Sequence, residues 1–315
     1  MKFDQSFISI KTCLYFLYAQ FIIKIYMTYN RRKFLQTTGL FTAGALLAKN
    51  QLFAAAGQKD KLKNFGLQLY TLKEDMAKDA AGVLKQVAGF GYTQVESFEG
   101  GKGMLWGMAP ADFKKYMDDL GMTIISSHCD MNKNFEQKAA DAASIGMKYL
   151  ICPYIGPQKS IDDYKKYADT FNAKGEICKK NGIRFAYHNH GYTFQALDGQ
   201  YPQDVLMDNT NPATVDFEMD MYWVITGGAD AEKYLEKYKN RFRLCHVKDR
   251  TKGADPKDND ASCIVGTGSI DYPSLLTKAK KCGMQYYIVE QESFVGSTPL
   301  LSAEASAKYL SGISI

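Results

Sequence analysis

The sequence lacks several features that would point to a particular class of protein. None of its seven cysteines stands in a C-x-x-C pair, the spacing used by many zinc sites and thiol redox centres. Residues 7–27 are aromatic and apolar, but Lys11 and Lys24 interrupt them, whereas a bilayer core requires about 20 uninterrupted apolar residues. With 46% apolar and 23% charged residues, we expect an ordinary globular protein without a stable membrane span in its mature form.

A basic surface for nucleic acid is also missing, although the formal net charge of the chain is +5. Residues 1–56 hold seven Lys or Arg residues and a single acidic residue, Asp4. The remainder therefore holds 32 basic and 33 acidic residues, a net charge of −1. That balance gives no electrostatic footprint for DNA or RNA, so we expect no nucleic-acid partner.

The basic beginning of the chain has the order of an export signal. The segment 31–35 (RRKFL) precedes an apolar run over 39–47 and the small-residue stretch Ala54-Ala55-Ala56. The paired arginines are similar to those of twin-arginine leaders. We expect residues 27–56 to be a twin-arginine-like signal segment that directs the protein to the periplasm, the alternative being a first amphipathic helix of the fold. Residues 1–26, before Met27, are expected to be a mis-assigned extension.

From residue 65 onward, short β-like runs alternate with longer amphipathic stretches, a pattern typical of parallel α/β architecture. Eight runs have strand character: 65–70, 93–97, 122–128, 148–153, 184–190, 213–219, 242–247 and 285–291. Helical character falls at 79–89, 109–120, 135–144, 161–180, 203–208, 230–238, 272–281 and 302–310. The long segment 248–272 breaks this rhythm, and a loop of that length is usually functional.

Two further features favour a closed barrel over an open doubly wound sheet. Five glycines lie between a helical stretch and the next strand, where glycine readily adopts the left-handed conformation that ends a helix. They are Gly91, Gly121, Gly146, Gly182 and Gly283. No G-x-G-x-x-G turn follows the first strand, as it would in a dinucleotide-binding sheet. We therefore predict a (β/α)8 barrel over residues 62–315, in which the cysteines are mostly free thiols because so large a core needs no disulfides.

All four histidines fall at the ends of predicted strands, where the active-site loops of such a barrel gather. His128 ends the third run, His188 and His190 end the fifth, and His246 ends the seventh.

Carboxylates share this placement. Glu96 ends the second run, Asp220 follows the sixth, and Glu290 ends the eighth. Two imidazoles and two carboxylates on strands five to eight suit one divalent ion such as Mn²⁺, Co²⁺, Zn²⁺ or Mg²⁺.

These residues lie in motifs that resemble the xylose isomerase-like TIM-barrel superfamily, which includes sugar phosphate isomerase/epimerase-like proteins, inosose dehydratase and endonuclease IV-type proteins. The motifs are 66–71 (GLQLYT), Gly91-Tyr92, Val95-Glu96, 187–190 (YHNH), 220–223 (DMYW), 246–249 (HVKD), 266–268 (GTG), Ile270-Asp271 and Val289-Glu290. Together they cover nearly the whole chain from about residue 64 to its end.

The resemblance implies that His188, Asp220, His246 and Glu290 hold one divalent metal ion and that the substrate is a sugar or keto-sugar. In this chemistry the ion stabilises an enediolate after a proton leaves the carbon beside a carbonyl. Family epimerases commonly have a glutamate where His188 stands, so a symmetric proton exchange between two glutamates is not implied here. Some relatives have a histidine at the position of Trp223.

Roles for the remaining candidates follow from their positions. Glu290 is the candidate base, or else only a ligand. His190 shares a strand face with His188 and is a candidate for substrate contact, general acid catalysis or the orientation of a ligand. Lys248 can neutralise a developing oxyanion or bind a phosphate, or it can pair with Asp249 or Glu292.

Five residues are expected to contact the substrate itself. Glu96 and His128 are expected at the barrel mouth, where they would hold sugar hydroxyls. Tyr70, Trp106 and Trp223 can present apolar faces to a sugar ring, and we expect Trp106 to lie in a lid over 100–107.

Three functions remain open from the residues. An isomerase or epimerase is the activity that the family favours, whereas His188 favours a lyase that eliminates from a keto-sugar, such as an inosose or a 3-keto glycoside. A non-catalytic sugar-binding barrel is the third. Metal-dependent hydrolysis of the amidohydrolase type would need more histidines than the chain has, and an endonuclease would need a basic face.

Overall fold

The computed structural model describes residues 60–315, so the signal segment and extension expected over 1–56 lie outside the described residues. The eight barrel strands are β1 (Gly66–Gln68), β2 (Gln94–Phe98), β3 (Thr123–His128), β4 (Tyr149–Cys152), β5 (Arg184–His188), β6 (Val215–Asp220), β7 (Phe242–Val247) and β10 (Tyr286–Val289). They pair in parallel in chain order, and β10 closes the ring on β1. The predicted (β/α)8 barrel is confirmed.

The helices are α1 (Lys73–Gly89), α2 (Pro110–Asp119), α3 (Phe135–Ser144), α4 (Ile161–Lys180), α5 (Pro202–Asp208), α6 (Met221–Thr226), α7 (Ala231–Lys237), α8 (Tyr272–Lys281) and α9 (Pro299–Gly312). Single 3-10 turns follow β1 (Leu69–Leu72) and β5 (Gly191–Phe194). None of the helices within residues 60–315 is long and apolar enough to cross a membrane.

Two helices differ from the sequence-based expectation. The helix predicted from Asp79 begins at Lys73 and contains a non-helical residue at Asp79. The Asp79 carboxylate accepts a hydrogen bond from the amide of Gly82 at 2.9 Å. Asp79 therefore caps the segment that was predicted, and a further helical segment from Lys73 precedes it. Helix α6 was not predicted, because its residues 221–226 (MYWVIT) are nearly all apolar and show no polar face.

Glycines shape the junctions as predicted. Gly91, Gly121, Gly146, Gly182 and Gly283 have φ between 68° and 98°, a left-handed conformation that other residues adopt only with strain. All six cysteines of the described part are free thiols, which confirms the expectation that this core needs no disulfides.

The barrel interior is built in levels, because alternate residues of each strand point inward. At the amino ends of the strands, Arg184, Asp216 and Tyr149 form what we call the floor cluster: the Arg184 guanidinium donates to both Asp216 oxygens and the Tyr149 hydroxyl donates to one of them. An apolar level lies above it and contains Ile125, Ile151, Ala186 and Leu244. The level at the carboxyl ends is polar and contains Gln68, Glu96, Ser126, His188, Glu218 and His246.

The segment after β7 is ordered by one buried carboxylate. Strands β8 (Asp249–Arg250) and β9 (Ser262–Cys263) form an antiparallel hairpin. The Asp249 carboxylate accepts the amides of Gly266 and Gly268, each at 2.9 Å, and that of Ile270 at 3.1 Å. The long segment expected to be a functional loop is therefore anchored to the end of β7 at its base.

Candidate metal centre

Four side chains converge where β5, β6, β7 and β10 reach the mouth of the barrel. They are His188, Asp220, His246 and Glu290, which we call the rim cluster. One ligand atom from each lies within 4.8 Å of the others. His188 Nε2 and His246 Nδ1 are 3.1 Å apart, and His246 Nδ1 is 3.1 Å from Glu290 Oε2. The four residues lie far apart in sequence, so the barrel alone brings them together.

Asp220 is held in place so that one oxygen faces the cluster. Its backbone N–H donates to the Asn189 side-chain oxygen, and the Asn189 amide donates to the Asp220 carbonyl, both at 3.2 Å. Its Oδ1 caps helix α6 by accepting the Trp223 amide at 3.0 Å. Its Oδ2 is buried without a hydrogen-bond donor in the described part of the chain, and it lies 3.5 Å from His188 Nε2. A fully buried carboxylate oxygen of this kind fits a cation ligand.

The two histidines are oriented by what their other ring nitrogens contact. His188 Nδ1 lies 3.3 Å from the carbonyl of Pro153, so it can donate there and leave Nε2 free for a metal. His246 Nε2 lies 2.8 Å from Glu96 Oε1, which leaves Nδ1 for a metal. Metal-ligating histidines typically have such an outer partner, because it fixes the tautomer and the ring direction.

A second group, which we call the inner cluster, lies directly beneath and shares His246. Its members are Glu96, His128, Glu218 and His246. Glu218 Oε2 is 2.8 Å from His128 Nε2, and Glu96 Oε1 also accepts from Gln68 at 2.7 Å. Glu218 was missed by sequence reasoning. Its signal was available, because Asp216, Glu218 and Asp220 alternate along β6 and must share one face.

Burial disfavours charge on every one of these groups, so the partners decide their protonation. Burial and the neighbouring charge of Glu96 raise the pKa of Glu218 to about 7. Burial alone would lower the pKa of His128, but Glu96 and Glu218 raise it to about 9. For Asp220 and Glu290 the effect of burial is outweighed, first by the charge of Lys248, so the pKa of each is lowered. Both are carboxylates.

His188 and His190 differ from the other histidines. Burial and then the charge of His246 lower the pKa of His188, while burial and the charge of His188 hold the pKa of His190 well below its usual range. Both shifts favour the neutral imidazole, the form that can ligate a metal or accept a proton. For His246 the charges of Glu218 and Glu290 outweigh burial and raise its pKa well above the usual range, so a metal bound at its Nδ1 would displace a proton.

Lys248 is fully buried and surrounded by acidic groups. Its ammonium contacts Glu292 and lies 3.2 Å from Glu290 Oε2 and 4.0 Å from Asp220 Oδ2. It also lies 5.2 Å from the centre of the Trp223 ring. Of the two pairings considered from sequence, the structure gives Glu292 and not Asp249, whose carboxylate binds backbone amides. A buried lysine with these partners balances charge and has no free face for a phosphate.

A cavity of about 540 Å³ opens above the rim cluster. His188, His190 and Glu290 reach its wall from one side, and Tyr70, Trp223 and His128 also line it. The His190 Nδ1 atom is buried and has no hydrogen-bond partner among the described residues. The cavity therefore presents an unengaged imidazole beside the four candidate ligands.

Two expected substrate contacts are placed elsewhere. Trp106 is only 6% exposed; its indole N–H donates to Ser97 at 3.1 Å and its ring packs edge-on against Phe98. It supports the cavity wall from behind, which corrects the expectation of a lid. Glu96 is fully buried against His246 and is not among the residues that line the cavity, because its side chain points to the barrel axis and is covered by that histidine.

The sequence matches the family model for the xylose isomerase-like TIM barrel over residues 84–312. An inosose dehydratase of Clostridium perfringens is 27% identical over 164 residues, which cover 47% of this chain and 54% of that protein. One from Bacillus cereus is 27% identical over 144 residues, or 42% and 48%. The chain thus spans about half the length of these curated relatives.

Solved structures share the fold over most of the barrel. A sugar phosphate isomerase/epimerase from Parabacteroides distasonis has a TM-score of 0.68 and 32% identity, covering 79% of this chain and 93% of that one. The IolI protein, solved with a zinc atom, has a TM-score of 0.64 over 78% of this chain and 95% of its own. At 15% identity, the second likeness shows the fold alone.

Proposed function

Because this chain belongs to the xylose isomerase-like TIM barrel family, we propose that it is a divalent-metal-dependent lyase acting on a keto-sugar. The reaction removes a proton from the carbon beside a carbonyl and then expels a hydroxyl or alkoxide from the next carbon. The observation that carries the proposal is the rim cluster, whose four buried ligand atoms lie within 4.8 Å of one another.

The residues of the rim cluster fit a metal ion. Two imidazole nitrogens and two carboxylate oxygens are ligands that Zn²⁺ and Mn²⁺ accept, and Asp220 Oδ2 accepts no hydrogen bond from the described residues and is available to a cation. When bound, a divalent ion there would polarise the substrate carbonyl and stabilise the negative charge that develops on its oxygen.

We assign proton transfer to His190 rather than to Glu290. Glu290 Oε2 is engaged by His246 at 3.1 Å and by Lys248 at 3.2 Å, which suits a ligand. His190 lies on the cavity wall and its Nδ1 is unengaged. The imidazole of His190 can take the C–H proton and then return it to the leaving oxygen as the carbon–oxygen bond breaks and a carbon–carbon double bond forms.

Elimination is favoured by the strand-five residue and by the relatives. A carboxylate at that position would give a second base, but His188 stands there, with Nδ1 near the Pro153 carbonyl and Nε2 directed at the rim cluster. The matching curated relatives are inosose dehydratases, which are named for loss of water from an inosose.

A sugar isomerase or epimerase is the second candidate. It is favoured by the structure from Parabacteroides distasonis, which is named a sugar phosphate isomerase/epimerase and is 32% identical. Both candidates share the first proton transfer and differ only in whether a leaving group departs.

The deciding experiment follows products by NMR in D₂O. The full-length protein is loaded with Mn²⁺ and incubated with an inosose, a 3-keto glycoside, aldoses and ketoses. We expect an enone or a released alcohol from a keto-sugar. Interconversion of sugars without loss of a group would establish the isomerase instead, and binding without turnover would leave a sugar-binding barrel.

Two variants test the assigned roles. His190→Asn is expected to keep its metal and to lose turnover by about 10²–10⁴-fold, the usual contribution of a general base. Glu290→Gln is expected to lose metal as well. If His190→Asn retains full turnover while Glu290→Gln keeps its metal and is inactive, the base is Glu290.

A further inference from the structure

In the loop where (β/α)8 enzymes commonly bind a phosphate, the backbone amides of this chain are occupied by one of its own carboxylates. Phosphate sites of this fold lie in the loops after the last two barrel strands, where backbone amides face the anion. In this chain the amides of Gly266, Gly268 and Ile270 all donate to the carboxylate of Asp249. A Cβ at Gly268 would lie 2.3 Å from Asp249 Oδ1, so no space remains between loop and carboxylate. The chain supplies its own anion.

The charge of the cavity wall also opposes a phosphorylated substrate. Four carboxylates line it, those of Glu99, Asp130, Glu290 and Glu292, against a single ammonium, that of Lys133. The Lys133 side chain is 82% exposed, and an ion pair there is weak. The carboxylates of this wall therefore outnumber its ammonium groups, and a phosphate dianion would meet repulsion from them.

The cavity is lined by residues at the ends of β2, β3 and β4 as well as by residues of the rim cluster. Phe98, Glu99, Asp130 and Tyr154 line the part at these three strand ends, which we call the far subsite. The whole cavity measures about 540 Å³, within the range of about 300–1,000 Å³ that holds drug-sized ligands. A single sugar ring at the rim cluster would leave the far subsite unfilled.

The far subsite has the groups that a sugar ring requires. Tyr154 is 56% exposed, although its ring stands nearly perpendicular to those of His190 and Tyr192, with 5.0 Å and 5.5 Å between centroids. A tyrosine fixed in this way presents an apolar face. Glu99 Oε2 accepts from the Asp130 amide at 2.8 Å and from Lys138 at 2.6 Å, which fixes the carboxylate and leaves Oε1 to accept from a hydroxyl.

We propose that the substrate is an uncharged carbohydrate of two rings, with the reacting ring at the rim cluster and the second ring on the far subsite. This inference rests on the proposed function, since it places the reacting carbonyl beside the candidate metal ligands.

Calorimetric binding to the full-length, Mn²⁺-loaded protein tests the inference without requiring turnover. The probes are cellobiose, maltose and trehalose as uncharged two-ring sugars, glucose as a single ring, and glucose 6-phosphate. We expect at least one disaccharide to bind about tenfold or more tightly than glucose, and glucose 6-phosphate to bind more weakly than glucose. Glucose 6-phosphate binding most tightly, or no disaccharide exceeding glucose, would overturn the inference while the NMR experiment judges the reaction separately.

A pair of tyrosine variants locates the second ring. Tyr154→Ala is expected to weaken binding of the preferred disaccharide about tenfold, close to 1.4 kcal/mol, more than it weakens binding of glucose. Tyr201→Ala is the matched control, because Tyr201 is 48% exposed and lines a separate surface hollow with Gln200 and Asp204. An equal loss for glucose and the disaccharide would contradict the far subsite.

The filled glycine loop is tested with inorganic phosphate. Asp249→Ala frees three amides, so we expect the variant to bind phosphate at least tenfold more tightly than the unaltered protein does. If the variant does not fold, the comparison of glucose with glucose 6-phosphate on the unaltered protein decides. Strong phosphate binding by the unaltered protein, unchanged by Asp249→Ala, would refute the argument.

Discussion

The barrel interior holds buried charge at both ends, and the two groups differ in how completely they are paired. In the floor cluster both Asp216 oxygens accept from Arg184, and the remaining guanidinium donors reach the carbonyls of Pro212 and Ala213. Towards the mouth, by contrast, Asp220 Oδ2 of the rim cluster and Glu218 Oε1 of the inner cluster are buried without a donor within residues 60–315. The floor cluster is complete in itself, whereas the mouth has unused acceptors.

This difference separates a structural ion pair from a binding site. A buried polar atom without a partner costs about 1–3 kcal/mol, and the floor cluster demonstrates that this fold can satisfy buried carboxylates with its own side chains. The unused acceptor of Asp220 is therefore available to a ligand from outside the chain. A divalent cation fits its charge, as the proposed function requires.

The largest expected effect is that of removing the central ligand. Asp220→Ala should lower Mn²⁺ affinity by more than the roughly 10–100-fold that loss of an outer partner costs, and should abolish metal-dependent turnover. Elemental analysis after dialysis measures the metal. If Asp220→Ala retained as much metal as the unaltered protein, Asp220 would not be a metal ligand, and the contrast with the floor cluster would fail.

The next effect concerns the support of His246. Glu96→Gln should lower metal affinity about 10–100-fold, because the carboxylate that fixes the His246 ring is lost. Glu99→Gln is the control, since Glu99 lies on the cavity wall and does not contact the rim cluster. Equal metal affinities of the two variants would contradict the role given to Glu96.

The floor cluster should respond in the opposite way. Asp216→Asn is expected to cost about 2 kcal/mol of unfolding free energy, less than for a fully buried pair because the Arg184 side chain is 35% exposed. Metal affinity should not change. Urea unfolding gives the first quantity and calorimetry the second, and a loss of metal without a loss of stability would reverse the comparison.

The smallest effect is expected from the floor tyrosine. Tyr149→Phe removes one hydroxyl donor, 3.1 Å from Asp216 Oδ2, and should cost about 1 kcal/mol, since Arg184 continues to bind the carboxylate. Thermal unfolding of the variant with and without Mn²⁺ measures this. A change in the stabilisation by Mn²⁺ would show that the two ends are coupled.

Much of the architecture could be predicted from the sequence, because the hydrophobic periodicity of each strand or helix and the residues that end it are local features of the chain. Strand runs, helix-ending glycines and the histidines at strand ends each report on a few neighbouring residues, and the closed barrel then fixes which strand ends meet. His188, Asp220, His246 and Glu290 were found in this way. That their side chains would lie within 4.8 Å of one another followed from the fold.

What the sequence could not reveal depends on depth inside the barrel. Glu96 and Glu290 both occur at strand ends, yet Glu96 is fully buried against Gln68 and His246, whereas Glu290 lines the cavity. The partner of Lys248 was ambiguous because Asp249 is adjacent in the chain but binds the glycine loop. Trp106 lies in a glycine-rich segment typical of a lid, but its contacts with Ser97 and Phe98 bury it.

The double role of Asp220 gives this protein a built-in optical reporter. One oxygen of its carboxylate caps the short helix that carries Trp223, and the other faces the rim cluster. A cation bound to Asp220 Oδ2 would change the hydrogen bond between Oδ1 and the Trp223 amide, and with it the surroundings of the indole. The only other tryptophan, Trp106, is packed behind the wall. Intrinsic emission should therefore track occupancy in real time, with no label attached.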